Sequence, residues 1–383
     1  MATPIKAGLP HVDYYAPGFR VEIDGEQLSP ATNGDILNLS VKMDLTQMAS
    51  FDMTVANIAT FRSAREVFKY SDGDRFDIGR QVHIKMGYAD ALLSMINGQI
   101  TSVAPKFPQA GAPTLTVSGQ DGMFKLKNNR PETAQSIQYL DMRDSEIAIE
   151  IAVRNKLDYV VQESAPIHHE VIQRMTDDAT FLKERAARID FDCHIVTDAR
   201  TNEATLFFVK PADGREGTRP TTFAYRWGEN LLSFTPTINL SDQVASVTVH
   251  GWDPDTKLPI VAKAGPEDLP KQANSGESGE SGPQMAQRTQ AGKQDVVVDA
   301  PVASQEEAAV LARSLLLHRA YKFITASGQV IGKPELRPGH SLELSGLGRF
   351  DGAYYVTRVE HQIDQNGYLT TFEARRMLHR RST

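Results

Sequence analysis

Apolar positions in the first third of the chain recur every second residue. Phe19-Arg20-Val21-Glu22-Ile23 alternates and runs into the turn pair Asp24-Gly25. Leu37, Leu39, Val41 and Met43 share one face, as do Val82, Ile84 and Met86, and further on Leu115 and Val117. Residues 50 to 55 alternate in the same way. A period of two with Gly, Asn and Pro punctuation predicts half-buried antiparallel strands, hence a sandwich or barrel. Around Asp144 the period changes. Ala148, Ile151 and Ala152 predict a helix over 145–156 with Asp144 or Ser145 as N-cap. Ala179, Leu182, Ala186 and Ile189 predict a second helix over 176–189, with Asp177 and Asp178 at its positive end. Residues 191–197 and 204–209 then form a strand hairpin.

Strands resume at 244–251. Residues 265–291 lose all periodicity, and 274–284 (NSGESGESGPQ) contains no apolar side chain. Such a segment buries too little surface to offset its ordering entropy, which predicts a mobile loop. Ser304, with Glu307 three residues on, opens a helix over 304–322 whose buried stripe is Ala308, Leu311, Ala312, Leu315 and Leu316. The chain from 331 to 375 is strand again.

The two β-rich parts repeat one another. Gly79 opens an alternating strand, followed by Gly98-Gln99-Ile100-Thr101-Ser102-Val103 and then Thr114 to Val117. Gly339 opens another, followed by Gly352, Val356-Thr357-Arg358-Val359 and then Leu369 to Phe372. Apolar residues three apart (Ile100 and Val103, Val356 and Val359) break strict alternation and predict a bulge in each copy. The fold class expected is mainly β with an α/β insertion: a first β-barrel over 1–128, an α/β unit over 129–235, and a second β-barrel over 236–383. Three such chains would present six similar barrels in a pseudo-sixfold ring.

The 383 residues suffice for two or three domains, and a net charge of −7 with bases and acids mixed argues against specific nucleic-acid binding. Cys193 is the only cysteine, which excludes an internal disulfide and a cysteine-based zinc site. The N-terminus lacks the apolar stretch of a signal peptide, and no run is long enough for a membrane helix or anchor.

Candidate chemistry reduces to structural readings. His168-His169-Glu170 places neighbouring histidines on opposite strand faces, so they read as surface or turn residues and not as a metal site. Ser345-Gly346-Leu347-Gly348-Arg349 lacks the rest of a phosphate loop and reads as a hairpin turn. Asp177-Asp178 and Glu306-Glu307 sit at helix starts, where the dipole explains them. The basic run 375–381 reads as a solvated end or a contact to an acidic partner. No nucleophile elbow accompanies His361, which reads as a buried strand residue. No enzyme, cofactor or metal is expected.

Four segments resemble the phage late control gene D family, which includes contractile-tail hub proteins and the hub portion of type VI secretion VgrG spike proteins. The first runs through Thr176-Asp177-Asp178-Ala179-Thr180-Phe181-Leu182 to Ala186-Ala187-Arg188, where family members usually carry a glycine in place of Ile189-Asp190. The second is 247–254, with Gly251-Trp252-Asp253-Pro254 at its end; the third is the helix from Glu306 leading to Gly332 and then Gly339. The fourth is Phe350-Asp351-Gly352-Ala353-Tyr354-Tyr355-Val356, followed by His361 and Tyr368. The resemblance implies structural motif residues Phe181, Leu182, Trp252, Asp253, Gly339, Gly352, Tyr355, Val356, His361 and Tyr368. It also implies a baseplate hub, a homotrimer bound to the first tail-tube ring, a separate spike protein and other baseplate and tape-measure proteins. The hub would assemble in the cytoplasm and become part of a phage tail or injection particle. The rival readings are a tail-associated cell-wall hydrolase and a carrier of toxin cargo.

Overall fold

The computed structural model describes residues 16–62, 65–71, 75–89, 91–122, 126–127, 136–197, 204–213, 215, 220–253, 256–270, 279–290 and 292–380. In the first part, β1 (Pro17–Ile23) turns back into β2 (Glu26–Gln27) through Asp24 and Gly25, both at positive φ, as a two-residue hairpin turn requires. A short helix α1 (Pro30–Gly34) follows, then β3 (Ile36–Asp44) and β4 (Ser50–Ala56). A separate pair, β5 (Ala59–Arg62) and β6 (Arg65–Phe68), leads to β7 (Gln81–Tyr88), β8 (Ala91–Lys106) and β9 (Thr114–Asp121). The ladder order is β2-β1-β7-β8-β9-β4-β3, antiparallel throughout. The alternating apolar faces of these strands bury Val41, Phe51, Met53, Val82, Ile84, Met86 and Val117 in one core.

The α/β unit comprises β10 (Ile137–Arg143), α2 (Asp144–Arg154), β11 (Asp158–Val161), β12 (Ile167–Gln173), α3 (Asp178–Arg188), β13 (Asp192–Thr197) and β14 (Ala204–Val209). Arg143 is the N-cap residue of α2, not Asp144 or Ser145, because the Glu146 side chain reaches back to accept from the Arg143 backbone N–H. Asp177 caps α3 by accepting from Thr180 N–H at 2.9 Å. Asp178, in the first turn of α3, accepts from Arg154 and Asn155 at the end of α2, which ties the two helices together.

The rest of the chain runs β15 (Thr222–Arg226), β16 (Leu231–Ile238), β17 (Ser246–Trp252), β18 (Pro259–Ala264), β19 (Gly279–Ser281), α4 (Gly282–Thr289), β20 (Gln294–Val297), α5 (Gln305–Ala320), β21 (Ile324–Ile331), β22 (Ser341–Ser345), β23 (Gly352–Asp364), β24 (Gly367–Arg376) and β25 (Leu378–Arg380). Strands β22-β23-β24-β21-β16 form an antiparallel run, with β15 parallel to β22 at its end. β17 belongs elsewhere. It lies in a three-stranded sheet, β18-β17-β20, that packs on α5 around its own core of Val247, Val249, Ile260, Leu311 and Leu316.

Three expectations change here. A division at 235/236 falls inside β16, which pairs with β21 through Leu231 to Ile238 and so belongs with the second run of strands. The segment 265–291 is not all loop: Ser281 caps α4 and Gln284 completes a capping box, enough to start a helix in a stretch without an apolar stripe; residues 271–278 lie outside the described ones. Among the described residues no ladder closes either half into a barrel. Instead β3 pairs with β23, and the two halves join edge to edge in one 13-stranded sheet.

The duplication extends beyond the segments in which the sequence shows it. β3, β4, β7, β8 and β9 match β16, β21, β22, β23 and β24 in chain order and ladder order alike. Each copy shifts register at the same two places: between Ile100 and Ser102 and between Val356 and Arg358, and again between Ile36 and Asn38 and between Leu231 and Ser233. Gly79 (φ 94°) donates to Ile100 O, and Ile100 N–H to Arg80 O; Gly339 (φ 87°) donates to Val356 O, and Val356 N–H to His340 O, all at 2.9 Å. Two differences stand out: β1 runs antiparallel to β7, whereas β15 runs parallel to β22, and the β7–β8 ladder shifts register between Ile84 and Lys85, whereas the β22–β23 ladder does not.

Each copy also sets a glycine under a phenylalanine on the neighbouring strand, Gly119 opposite Phe51 and Gly328 opposite Phe372. A Cβ at Gly119 would lie 2.3 Å from Gln99 O and 2.4 Å from the Phe51 ring. Gly119→Ala should therefore lower the unfolding free energy by about 1–3 kcal/mol, the usual range for overpacking. Gly34→Ala, with nothing within 4 Å, should stay within about 0.5 kcal/mol. Chemical denaturation of both variants checks this, and equal stabilities would refute the close approach.

Candidate functional site

The chemistry-bearing side chains gather where units meet. At the joint of the halves, β3 and β23 pair from Asn38↔Asp364 to Asp44↔Arg358. Met43, Val41 and Leu39 on one strand and Val359, His361 and Ile363 on the other are buried. On the outer face Arg358 Nε donates to Asp44 at 2.8 Å, and Lys42 lies 3.7 Å from Glu360. Arg337 reaches from the second half into the first, donating to Ser94 O at 2.8 Å and touching the sulfurs of Met43 and Met95. Burial lowers this guanidinium's pKa to about 10, so it stays charged at neutral pH.

His361 lies beside it. Its Nε2–H donates to Leu336 O at 3.0 Å, and its Nδ1 receives the hydroxyls of Tyr368 (3.0 Å) and Thr370 (3.1 Å). That set fits the neutral ring. Burial first, and then Arg337, hold its pKa well below the usual histidine value. Tyr368 stacks on Gly332, and Tyr88 of the first half donates to Gly332 O at 2.9 Å. A side chain at Gly332 would collide with the Tyr368 ring.

A second network joins the α/β unit to the second half. Arg215 grips both oxygens of Asp213 at 2.8 Å and donates to Asp190 at 2.7 Å; Tyr321 OH donates to Asp190 at 2.8 Å. Asp190 adopts φ 55°, the left-handed conformation that usually selects glycine after a helix. Its carboxylate bonds hold this conformation without glycine. Tyr355 OH donates to Asp192, and the Arg375 guanidinium lies 3.4 Å from the centre of the Tyr321 ring. Burial raises Asp192 to about 6, against the pull of Arg375 and Tyr355.

A third cluster ties the α/β unit to α5. Asp144 accepts from Arg185 and lies 3.1 Å from His168 Nε2, while Glu307 lies 3.5 Å from His168 Nδ1 and accepts from Arg188 at 3.1 Å. Burial works against both charges, but the two carboxylates raise His168, and His168, Ala303 N–H and Arg188 bring Glu307 down to about 2. Beside it opens a groove of about 1330 Å³, whose walls include Arg188, Glu307, His250 and Trp252.

Of the sequence-derived motif residues, Tyr355, His361 and Tyr368 lie in these ties, and Val356 is fully buried in the second core. Phe181 and Leu182 pack in the α/β core. Gly339 and Gly352 both have positive φ; Gly339 lies two residues before β22 and Gly352 opens β23. Trp252 is 57% exposed at the groove, and Asp253 stands apart from the buried ties, its carboxylate accepting from Thr256 N–H in an exposed hydrogen bond. His168 is not a surface residue. It is buried against Asp144, and only His169 faces solvent, because alternation sends the two rings to opposite sides of β12. Arg375 and Arg376 are not a solvated end, since they continue β24 and pair with β21; 381–383 lie outside the described residues. Cys193 is buried, and burial raises its thiol to about 12. Gly346 and Gly348, both at positive φ, form the turn between β22 and β23. The buried ties of Arg337, Asp144 and Asp192 escaped sequence reasoning, which read Asp144 only as an N-cap, since a charge beside a proline, a helix or a strand reads as exposed until its partner is known. Among the described residues no group of His, Cys, Asp and Glu is placed to hold a metal ion, and no helix is long and apolar enough to cross a membrane.

The profile of the Alg8 N-terminal domain family matches residues 15–365. No curated protein matches the sequence. Among solved structures, the 43 kDa tail protein of prophage MuSo2 from Shewanella oneidensis is similar over 94% of this chain and 98% of its own, at 12% identity and a TM-score of 0.64. A tail protein from Neisseria meningitidis MC58 is similar over 94% of this chain and 97% of its own, at 13% identity and a TM-score of 0.63. The E. coli c3393 protein, described as a component of the type VI secretion system with structural similarity to T4 bacteriophage tail proteins gp27 and gp5, is similar over 94% of this chain and 79% of its own, at 14% identity and a TM-score of 0.56. At these identities the likeness shows a shared, mainly β tail-protein fold.

Two outcomes follow from the charges. His361 is lowered, so its neutral form supports the fold above about pH 6.5 and that support is lost as pH falls below it. His361→Gln, which keeps one donor and one acceptor, should flatten the slope of stability below pH 6.5 by up to about 1.4 kcal/mol per pH unit. Denaturation curves from pH 7 to 5 measure it, and an unchanged slope would refute the neutral-ring assignment. Glu307 is lowered too, so its contribution is present above its ordinary 4.5 and lost as pH falls toward about 2. Glu307→Gln should cost about 2–3 kcal/mol at pH 7 and lower the His168 pKa, as read by NMR titration.

Proposed function

We propose that this chain, which belongs to the Alg8 N-terminal domain family, is the structural baseplate hub of a contractile tail or contractile injection system. Three copies form a ring that joins a sixfold tail tube to a threefold spike and surrounds the central channel. The duplication carries this reading. One chain holds two halves with the same strand order and the same paired bulges. Three chains therefore present six near-equivalent units to a tube while keeping threefold symmetry for a spike.

The shared fold with phage tail proteins supports the reading, as does the motif resemblance to the late control gene D family. The ties at His361, Asp190 and Glu307 suit a part that transmits load. Each places a polar group between units and satisfies it there, so the units are held in one arrangement. The homotrimer, the tube ring, the separate spike and the remaining baseplate partners are elements of this proposal, as is assembly in the cytoplasm before incorporation into the particle.

Light scattering of the purified protein, alone and with candidate tube and spike proteins, tests it. A three-chain mass, or single chains that become a 3:3 complex with the spike, is the expected result. Single chains that ignore both partners and instead degrade cell wall would overturn the hub and favour the hydrolase.

A further inference from the structure

The β3–β23 joint uses one strand of each of two kinds, and the duplication makes a second strand of each kind. Alignment of the halves on their shared bulges places β16 where β3 stands and the end of β8 where β23 stands. β3 and β23 pair with each other. Among the described residues their counterparts do not: β16 has β21 as its one ladder neighbour, and beyond Gln99, where the β7 ladder ends, β8 has β9 alone.

The two open edges carry apolar residues at the positions the closed joint buries. Val359, His361 and Ile363 correspond to Val103, Pro105 and Phe107; Met43, Val41 and Leu39 correspond to Ile238, Pro236 and Phe234. The first set is buried, whereas Val103, Phe234, Pro236 and Ile238 are half-buried and Pro105 and Phe107 are exposed. Both prolines fall at one matched pair. Leu45 N–H donates to Thr357 O, so along the joint Val41 and His361 also form a hydrogen-bonded pair, the N–H of each directed at the C=O of the other. Proline at both matched positions removes both donors of that pair, so a ladder between the open edges has no hydrogen bonds there.

We infer that the open edge of β16 pairs antiparallel with the end of β8 in a second copy of this chain. The register repeats the internal joint: Ser102 opposite Asn239, Val103 opposite Ile238, and Ala104 opposite Thr237. The contact is head-to-tail, so each joint, internal or between chains, presents the next half with the same edge, and closure after three chains rests on the hub reading. The proline pair leaves this ladder short, with the apolar row beneath it supplying the remaining contact.

Cysteine pairing tests the register. Ala104→Cys with Thr237→Cys places two thiols at a pair whose internal counterpart, Glu360 opposite Lys42, is laterally close. Lys42→Cys with Glu360→Cys serves as the control and should close within one chain. Cys193 is buried and should not interfere. On mild oxidation the first variant should give a closed three-chain species on a non-reducing gel, lost on reduction. Ile238→Lys should stay folded by circular dichroism and lose the assembly. A three-chain mass without the disulfide, while the control pair closes, would overturn the joint and leave the hub reading standing. An open ladder of growing species would support the joint and overturn threefold closure. A disulfide within one chain, or single chains with none, would overturn the joint.

Discussion

A sheet edge must satisfy its backbone N–H and C=O groups or leave them to water, and this constraint organises the molecule. Each half of the chain ends in such an edge. The pairing of β3 with β23 joins one edge of each half and converts two similar sheets into one. The joint sets the relation of the halves, brings Arg337 beneath Met43 and Met95, and puts Tyr88 against Gly332. Among the described residues it leaves an edge of matching kind without a ladder partner on each half.

The units added to this sheet are attached by charge as well as by apolar packing. The α/β unit has its own core, yet its Asp190, Asp192, Asp144 and His168 find counterparts on α5, β23 or β24, or on each other. A buried ion pair contributes little net stability compared with an apolar contact of equal volume, but breaking one is costly. Such ties select one docking arrangement over its neighbours.

Much of the local structure was legible in the sequence. Period-two runs identified strands and their buried faces, the change of period at Asp144 located the α/β unit, and Asp177 and Ser304 marked helix starts that the structure retains. The three-residue spacing at Ile100 and Val103, and at Val356 and Val359, predicted two bulges, and both are present at equivalent places. These features are local. They depend on side-chain direction over a few residues, which the order of residues specifies.

Which edges meet is a different matter, because it depends on residues hundreds of positions apart. Alternation is the same in a closed barrel and in an open sheet, so the barrels expected from pattern became halves of a continuous sheet only when β3 was seen to choose β23. The charged residues follow the same division. Arg375 reads as solvated until Tyr321 lies beneath it, His168 as exposed until Asp144 lies beside it, and Asp190 as an unlikely replacement for glycine until Arg215 and Tyr321 hold its carboxylate. The sequence by itself determined the elements, their faces and their repetition, since those follow from local periodicity. The tertiary structure alone decided which edges are joined and which charges are buried, since desolvation is compensated only by partners that folding brings near.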